Sequence, residues 1–392
     1  MIYINAYSLI NALGGDKRTI CNHLIKNESG LKHYNENWLQ DKCALYLGKI
    51  TVDLPLIPVS MQAHNSRNNQ LLLHCANEIQ DEINELKERF ESSRIAIILG
   101  TSTSGIFEGE IALEESLSGC QSSRFQYQQQ CFSDPSDFLS QHLNITGPCF
   151  TISTACSSSA RAFISAARLL EADLIDAAIV GGADTLCKLS TNGFNSLGAL
   201  TTDICHPFAE AREGINIGEA AGLMVLSKKE APLSLLGWGA SSDAWHISAP
   251  HPEGLGAISC MQEALKKANI TPNNIGYINL HGTGTLLNDS AESKAIEYIF
   301  QKKVPVSSTK HLTGHTLGAA GITEISLAAL ILEYNLPLPA QIFTEKYPIG
   351  SDISNIRFAV QNEQITKPCI LSNSFAFGGN NASLIIGFNY DA

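Results

Sequence analysis

The chain has 392 residues, of which 44% are hydrophobic and 16% charged, and its formal net charge is −12. This length exceeds one ordinary hydrophobic core, so two domains or a large double unit are expected. The acidic balance argues against nucleic acid as the main partner, because neutralising phosphate requires a basic surface.

The cysteines and the apolar runs point to a cytoplasmic protein without a membrane span. The 11 cysteines are scattered, with no CxxC pair and no His–Cys cluster at zinc spacing, which predicts free thiols in a reducing compartment. The N-terminus has no basic lead before its apolar residues and is a poor signal peptide. The longest apolar run, at 325–332, is flanked by Glu324 and Glu333, so a buried helix is expected there.

Hydrophobic periodicity predicts the elements of the first part of the chain. In chain order they are a strand at 1–10, a helix at 14–30, an irregular segment at 31–58, a long amphipathic helix at 70–90, a buried strand at 94–99, a loop of glycine, threonine and serine at 100–105, a helix at 108–117, an irregular glutamine-rich segment at 120–135 and a short helix at 138–143. Strands that alternate with helices in this way indicate an α/β fold.

The stretch 150–170 (FTISTACSSSARAFISAARLL) is predicted to form a short strand, then Cys156, then a helix of small residues. Cys156 is expected in the first turn of that helix, where free N–H groups and the helix dipole favour a thiolate. An unpaired cysteine is more often a buried structural residue. The position between strand and helix makes a nucleophile an equal alternative.

The second part of the chain repeats the plan of the first. The first part ends with predicted strands at 177–182 and 221–227 and a linker at 228–232. The second part is predicted to contain a strand at 233–239, helices at 254–268 and 289–300, strands at 275–280 and 304–308, a helix at 318–334, and closing strands at 369–372 and 382–388. The matching order indicates an internally duplicated fold with buried, parallel-rich sheets and halves at 1–230 and 231–392. Functional residues of such sheets gather at the carboxyl ends of strands.

Two histidines lie in glycine-lined loops at such strand ends, His281 in NLHGTGT and His315 in KHLTGHTLGAAG. One such histidine is more often a structural polar residue, but two are harder to dismiss. Zinc would need a further close ligand, which the spacing does not provide. Neutral imidazoles can instead donate Nε2–H hydrogen bonds to a developing oxyanion, and backbone N–H groups of the turn 375–379 could form a second oxyanion hole.

Four acidic or basic residues near these motifs leave structural and functional readings open. Lys310 and Glu324 form either a surface pair or a network that orients the histidines. Asp289 and Glu292 are spaced i, i+3, and a structural salt bridge is expected of them. The glycine loops match neither the P-loop nor GxGxxG, so nucleotide binding has no support.

Four ordered motifs, TACSSS, HGTGT, KHLTGHTLGAAG and NSFAFGGNN, resemble the β-ketoacyl-[acyl-carrier-protein] synthases that have a Cys-His-His triad. The segments 212–222 and 241–254 are also similar, so the resemblance covers essentially the whole chain. It implies the thiolase fold, a duplicated αβαβα structure of five layers. It also implies a dimer and neither an organic cofactor nor a catalytic metal. The chain is further similar to ketosynthases of aryl polyene clusters, which can pair with a chain-length-factor-like subunit that lacks the cysteine.

The resemblance assigns roles to the residues of these motifs. Cys156 would accept an acyl chain from acyl carrier protein, and His281 and His315 would hold the malonyl thioester during its decarboxylative condensation. The N–H groups of Cys156 and Phe377 would form the oxyanion hole, with Phe377 as a gate. The remaining implied residues are Lys310 and Glu324 in support of the histidines, Thr283, Thr285, Phe375 and Gly378 at the substrate, and Arg67, Arg124 and Lys188 at the carrier protein.

Departures from the family pattern suggest a specialised enzyme. The usual FGGTN reads FGGNN, and the usual RPFDxxRDGF reads HPFAEAREGI. A degradative thiolase would need a second catalytic cysteine near the C-terminus, whereas Cys369 precedes a strand. Synthases with a Cys-His-Asn triad are disfavoured because His315 occupies the asparagine position. A non-catalytic, pocket-shaping subunit would lack the nucleophile, which is present here as Cys156.

Overall fold

The computed structural model describes residues 1–35, 38–119 and 125–388. The first half contains strands β1 (Ile2–Ile10), β2 (Lys32–Tyr34), β3 (Leu45–Leu47), β4 (Ile95–Gly100), β5 (Cys149–Ile152), β6 (Ala177–Asp184) and β7 (Ala220–Ser227), and helices α1 (Lys17–Lys26), α2 (Arg67–Glu78), α3 (Gln80–Arg89), α4 (Ile106–Leu117), α5 (Asp134–Leu143), α6 (Ser158–Glu171) and α7 (Lys188–Ser196). The second half contains strands β8 (Leu233–Ser242), β9 (Tyr277–Asn279), β10 (Pro305–Ser307), β11 (Arg357–Phe358), β12 (Cys369–Ala376) and β13 (Asn380–Phe388), and helices α8 (Leu255–Ala268), α9 (Leu286–Phe300), α10 (Lys310–Thr313) and α11 (Ala320–Tyr334).

The strand order repeats between the halves. The first half runs β1-β7-β6-β4-β5 and the second runs β8-β13-β12-β9-β10, with β11 added at the edge. In each half the first two pairings are antiparallel and the last two are parallel, so the sheets are mixed rather than parallel-rich. A short antiparallel pairing of β1 with β8 joins both halves into one continuous sheet. The domain boundary at 230/231 falls between β7 and β8 and stays a prediction.

The helices cover the strands in five layers, as the family resemblance implies. Helices α6 and α11 contact each other and strands of both halves, which makes them the central layer. Helices α2 and α5 cover the outer face of the first half, and α8 with α9 covers that of the second. Helix α11 is buried almost all round because apolar residues occupy every face. The stretch Leu317–Tyr334 has the length and apolar composition of a membrane span, and 89% of it is buried inside the molecule.

Two local features differ from the sequence-based expectation. The helix predicted at 70–90 is two helices, because the backbone of Ile79 leaves the helical region at φ −121° and ψ 26°. This break keeps Ile79, Ile83 and the apolar stripe of α2 in one core against the first half of the sheet. The segment 31–58, predicted to be irregular, contains the small antiparallel pair β2–β3.

Candidate active site

The nucleophile candidate lies in a strained turn between β5 and α6. Helix α6 begins at Ser158 with Ser157 as its N-cap, so Cys156 precedes the helix instead of lying in its first turn. Ala155 adopts a left-handed conformation with φ +50°, which costs a residue with a side chain roughly 1–2 kcal/mol. Ser158 stabilises the turn, because its hydroxyl donates to Ala155 O at 2.6 Å and accepts from Thr154 N–H at 2.9 Å.

Burial governs the electrostatics of this cysteine. Cys156 is 6% exposed, and burial raises the pKa of its thiol to about 12. The Lys310 ammonium and the backbone N–H groups of Phe377 and Cys156 oppose that rise. The backbone N–H groups favour a thiolate, as expected from the sequence, but desolvation outweighs them and the nearby positive charge. The same N–H groups are placed to stabilise negative charge that develops at the sulfur or at a bound carbonyl.

His315 faces the sulfur as a hydrogen-bond donor. Its Nε2 lies 3.0 Å from Cys156 Sγ, and its Nδ1 accepts the N–H of Leu317 at 3.3 Å. A neutral imidazole carries one proton, so acceptance at Nδ1 places that proton on Nε2. Burial, reinforced by the charge of Lys310, lowers the pKa of His315 well below its ordinary value, which keeps the ring neutral.

His281 completes the triad from the loop that follows β9. Its ring lies 5.3 Å from that of His315 at an interplanar angle of 84°. The N–H groups of His281 and Gly282 donate to the Glu292 carboxylate at 2.8 Å and 2.7 Å, which fixes the loop. Burial and the charge of Lys310 lower the pKa of His281 well below the ordinary value, so this ring is also neutral.

Lys310 and Glu324 form a buried ion pair, which excludes the surface pair that is one of the two interpretations of the sequence. Their side chains are 1% and 3% exposed, so this is not a surface pair. Burial raises the pKa of Glu324, and the Lys310 ammonium opposes the rise. A buried pair of this kind is expensive to desolvate and is weak evidence for stability alone. The charge of Lys310 lowers the pKa of both histidines, and the network that orients them stays a prediction.

The triad also has the composition of a metal site, since the ligand atoms of Cys156, His281 and His315 lie within 4.8 Å of one another. A histidine nitrogen must be unprotonated to bind a metal. The hydrogen bond from Leu317 occupies the Nδ1 lone pair of His315 and leaves the proton on Nε2, which faces the sulfur. The geometry therefore favours donation to an oxyanion over metal binding.

A cavity of about 520 Å³ opens onto the triad. Its lining includes the predicted residues Cys156, His281, His315, Thr283, Thr285, Phe375 and Phe377. The hydroxyls of Thr283 and Thr285 lie 2.8 Å apart, as a polar pair in an otherwise largely apolar space. Gly378 is not part of the lining, and its N–H donates to Ile247 O at 2.7 Å, so its contact with substrate stays a prediction.

Models of known families match nearly the whole chain. The "Beta-ketoacyl synthase, N-terminal domain" matches residues 2–231, and the "Beta-ketoacyl synthase, C-terminal domain" matches residues 234–343. The chain belongs to the β-ketoacyl synthase family. The family resemblance predicted from the four sequence motifs is thereby confirmed.

Curated β-ketoacyl synthases match a large part of this one. The 3-oxoacyl-[acyl-carrier-protein] synthase 2 of Rhizobium meliloti is 36% identical over 261 residues, which are 62% of this chain and 61% of that protein. The enzyme of the same name from Staphylococcus aureus is 34% identical over 264 residues, 63% of each chain. The chain therefore matches less than two thirds of the length of these curated relatives.

Solved ketosynthases share the fold over the full length. A ketosynthase (ApeO) in complex with its chain length factor (ApeC) from Xenorhabdus doucetiae is 49% identical, with a TM-score of 0.97 over 99% of this chain and 98% of that one. The ketosynthase of the type II PKS complex AntDE:AntF is 21% identical, with a TM-score of 0.84 over 99% of both chains, and shows the fold alone. The predicted thiolase fold of this β-ketoacyl synthase is confirmed.

The basic residues predicted to contact carrier protein have different surroundings in this β-ketoacyl synthase. The guanidinium of Arg67 binds the buried Glu219 carboxylate through Nε at 2.9 Å and Nη2 at 2.6 Å. This ion pair gives Arg67 a structural role, and its predicted contact with carrier protein stays a prediction. Lys188 forms a surface ion pair with Glu114, and its contact with carrier protein stays a prediction. Arg124 lies outside the described residues.

The roles of two residues near the triad of this synthase, Phe194 and Glu292, are not predicted from the sequence. Phe194 on α7 lines the cavity, with its ring 5.7 Å from Phe377 and 6.5 Å from His315. No periodicity marks it, because α7 lies in a polar segment that reads as a loop with a short helix. Glu292 holds backbone N–H groups rather than the salt bridge expected of it. Asp289 lies 3.7 Å from Arg212 and also accepts the Phe208 N–H, so its structural role is met.

Replacing Glu292 by glutamine should flatten the acid limb of the condensation rate. Burial raises the pKa of Glu292 to about 7, so its carboxylate loses charge as the pH falls through 7 and holds the His281 loop less well. We expect the wild-type rate to fall from pH 8 to pH 6 and Glu292→Gln to remain roughly tenfold slower than the wild type at pH 8, as a lost charge-assisted hydrogen bond implies.

Glu292 should affect folding stability with the opposite pH dependence, so that stability falls with rising pH whereas the rate rises. Because the pKa of Glu292 is higher in the folded chain than its ordinary value of 4.5, the folded state loses stability as the pH rises from 4.5 to about 7. In thermal unfolding measured across that pH range, Glu292→Gln should not show this loss of stability. The exposed Glu263 provides the control, since Glu263→Gln should leave both profiles unchanged. A Glu292→Gln rate that follows the wild-type pH profile would contradict the assignment.

Proposed function

We propose that this chain is a β-ketoacyl-[acyl-carrier-protein] synthase that extends an acyl chain by two carbons through decarboxylative Claisen condensation. The observation that carries the proposal is the contact of His315 Nε2 with Cys156 Sγ at 3.0 Å, beside a second neutral histidine. Two donors that remain neutral can serve a developing enolate, and a cysteine beside two N–H groups can serve as nucleophile.

The first half-reaction loads Cys156. Its sulfur attacks the thioester carbonyl of an acyl carrier protein, the C–S bond to the carrier breaks, and the carrier thiol leaves with the proton that the Cys156 thiol gives up. The tetrahedral oxyanion lies at the N–H groups of Cys156 and Phe377, both of which favour negative charge beside the sulfur. Phe377 and Phe194 cover this position with their rings, which excludes water from the acyl-enzyme.

The second half-reaction forms the new carbon–carbon bond. Malonyl carrier protein places its thioester oxygen between His281 and His315, whose Nε2–H groups stabilise the enolate that loss of carbon dioxide leaves. The enolate carbon attacks the acyl-Cys156 carbonyl, and the Cys156–acyl bond breaks. The cysteine sulfur leaves as a thiolate, which takes up a proton from solvent and returns to the thiol. Thr283 and Thr285 are placed in the cavity to bind the carrier's arm.

We further infer that the chain works as a heterodimer with a chain-length-factor-like subunit. Strand β5 is an edge of the sheet and pairs only with β4 among the described strands. Elsewhere in the first half, α4 has no buried residue and exposes Ile111, Leu113 and Leu117. An unpaired edge and an apolar helix face require cover in water. The 49% identical ketosynthase ApeO, solved with its chain length factor, supports a partner of this class.

A charged side chain placed on β5 or on α4 should separate the subunits. We expect Phe150→Asp on β5 and Leu117→Glu on α4 each to weaken the dimer by at least about tenfold, as removal of a buried apolar anchor does. Analytical ultracentrifugation of the co-expressed pair measures this. Ile342→Glu, at a similarly exposed apolar residue in the second half, should leave the dimer intact. A stable dimer in both Phe150→Asp and Leu117→Glu would contradict the assignment, and a homodimer of the isolated chain would replace the heterodimer.

The pathway we propose is a specialised one, the biosynthesis of an aryl polyene. Its support is the sequence resemblance together with the 49% identity to ApeO, against 36% to the synthase of Rhizobium meliloti. We also propose that the enzyme is cytoplasmic, since the described cysteines from Cys21 to Cys260 are free thiols.

Two other functions receive less support. A non-catalytic subunit has no use for a cysteine that contacts a buried, neutral histidine. A degradative thiolase needs a second cysteine at the reacting atoms, whereas Cys156 is the one cysteine in the described lining of the cavity. Cys369 lies at the start of β12 in the apolar core of the second half.

Intact-protein mass spectrometry tests the proposal. The chain, alone and with a co-expressed chain-length-factor-like subunit, is mixed with a panel of acyl carrier proteins and then with malonyl carrier protein. We expect an acyl adduct that disappears on addition of the malonyl form, with a carrier product two carbons longer. Absence of an adduct in both preparations would overturn the proposal and favour the pocket-shaping subunit.

A further inference from the structure

A buried carboxylate outside the triad, that of Asp184, contacts the turn that follows His315, and its charge adds to the rise in the pKa of Cys156. Asp184 is the last residue of β6 and is fully buried, and none of the described ion pairs includes it. Its carboxylate accepts hydrogen bonds from one loop and one further N–H: Thr101 Oγ1 at 2.6 Å, Ser102 N at 2.8 Å, Ser102 Oγ at 2.7 Å, Thr103 N at 2.8 Å, Thr103 Oγ1 at 2.8 Å and Gly318 N at 2.5 Å. Donors from both halves of the duplicated fold therefore meet on one negative charge.

A strained turn at Leu317 connects the hydrogen bond between Gly318 and Asp184 to the triad. Leu317 adopts a left-handed conformation with φ +53°, which a large side chain keeps only where the surroundings enforce it. The N–H of Leu317 donates to His315 Nδ1, and the next N–H, that of Gly318, donates to Asp184. Because both N–H groups belong to one rigid turn, holding the Gly318 N–H also holds the Leu317 N–H in line with the imidazole.

The packing at Gly318 supports the same connection independently. A Cβ atom at this position would lie 2.7 Å from the Asp184 carboxylate, 2.9 Å from Ser102 N and 3.0 Å from the Thr101 carbonyl carbon. These distances are shorter than side-chain contacts allow, so the carboxylate and the loop after β4 rest directly on the backbone of the turn. The loop of glycine, threonine and serine at 100–105 thereby gains a role that its composition alone does not indicate.

We propose that Asp184 is a positioning residue that keeps His315 in the tautomer with its proton on Nε2. Without the carboxylate the left-handed turn relaxes, the Leu317 N–H leaves Nδ1, and the proton can move to Nδ1. The Nε2 lone pair would then face the enolate oxygen and repel it. The inference rests on the proposed function for its catalytic consequence, whereas the tautomer itself is a property of the free enzyme.

Two variants test the contact from its two sides. Asp184→Asn replaces one acceptor oxygen by an N–H donor, and Gly318→Ala inserts a methyl group between the turn and the carboxylate. If one of them does not fold, the other still tests the contact. The matched control is Asp134→Asn, because Asp134 is equally buried and hydrogen-bonded to His64 and Asn69 but has no contact with the triad. Thermal unfolding shows how much each change affects stability alone.

The first measurement is the ring ¹⁵N spectrum of histidine-labelled protein, with the His315 signals assigned from His315→Gln. We expect a neutral Nε2–H ring in the wild type and in Asp134→Asn, and a mixture containing the Nδ1–H tautomer in both test variants. An unchanged His315 tautomer in the test variants overturns the proposal. This readout holds whether or not the chain proves to be a synthase, so failure of the proposed function does not obscure it.

The second measurement separates the two half-reactions in single turnovers. We expect Asp184→Asn and Gly318→Ala to slow consumption of malonyl carrier protein by the acyl-enzyme roughly 10-fold to 100-fold, while loading of Cys156 changes less than about threefold. Equal losses in both steps, or losses matched by Asp134→Asn, would indicate a merely structural residue and contradict the inference.

Discussion

Cys156→Ala should abolish the acyl adduct and reduce condensation by at least about a thousandfold, since removing a nucleophile removes the covalent route. The sulfur is the group that receives the acyl chain, and no other cysteine of the described chain lines the cavity. Intact-mass analysis after exposure to acyl carrier proteins measures the adduct, and product analysis with malonyl carrier protein measures the condensation.

Cys260→Ala is the control for this experiment. Cys260 on α8 is as deeply buried, and burial raises the pKa of its thiol to about 12, as it does for Cys156. It differs in position, because it lies in the core of the second half and does not line the cavity. We expect an adduct of wild-type extent in this variant. An adduct that persists in Cys156→Ala would locate the nucleophile elsewhere and contradict the site.

His281→Ala and His315→Ala should each slow condensation by about 10²–10³-fold, the usual effect of removing one oxyanion donor. Loading of Cys156 should continue in both variants, because the N–H groups of Cys156 and Phe377 stabilise its oxyanion. The effects should not add in the double variant, since the two rings serve one oxygen. Because the pKa of each histidine is well below its ordinary value of 6.5, neither ring should contribute an acid limb above that pH.

The matched control for the histidines is His311→Ala. His311 lies on α10 close to His315 in sequence, and burial lowers its pKa to about 4, yet it does not line the cavity. Condensation at close to the wild-type rate is expected of it. Rapid-quench kinetics of the preformed acyl-enzyme with malonyl carrier protein provides the rates. Wild-type rates in both triad variants would exclude the histidines from the chemistry.

Much of this site is predictable because its parts are local. The motif around Cys156 combines a short strand, small residues and a helix, and the loops around His281 and His315 are bounded by glycine. These patterns act within a few residues, where backbone sterics and periodicity dominate. The same locality explains why most helices and strands of the duplicated order lie where the hydrophobic pattern predicts them.

The errors and omissions have a common physical origin in contacts between distant segments. The structural ion pair of Arg67 is not predictable from local sequence, because its partner Glu219 is 152 residues away. Glu292 was expected to form a local salt bridge but binds the backbone of the loop that carries His281. The rise in the pKa of Cys156 is not predictable from local sequence, because burial depends on everything packed around the thiol.

The sequence by itself determines the family, the order of the elements and the three residue types of the triad. Tertiary structure alone decides their chemistry, since the sulfur and the ring nitrogen that meet at 3.0 Å are 159 residues apart. It also decides the protonation state of each group, because Lys310, the buried cavity and the turn at Leu317 act through space. The sequence patterns identify the residue types, and only packing places these side chains close enough to interact through charge and hydrogen bonds.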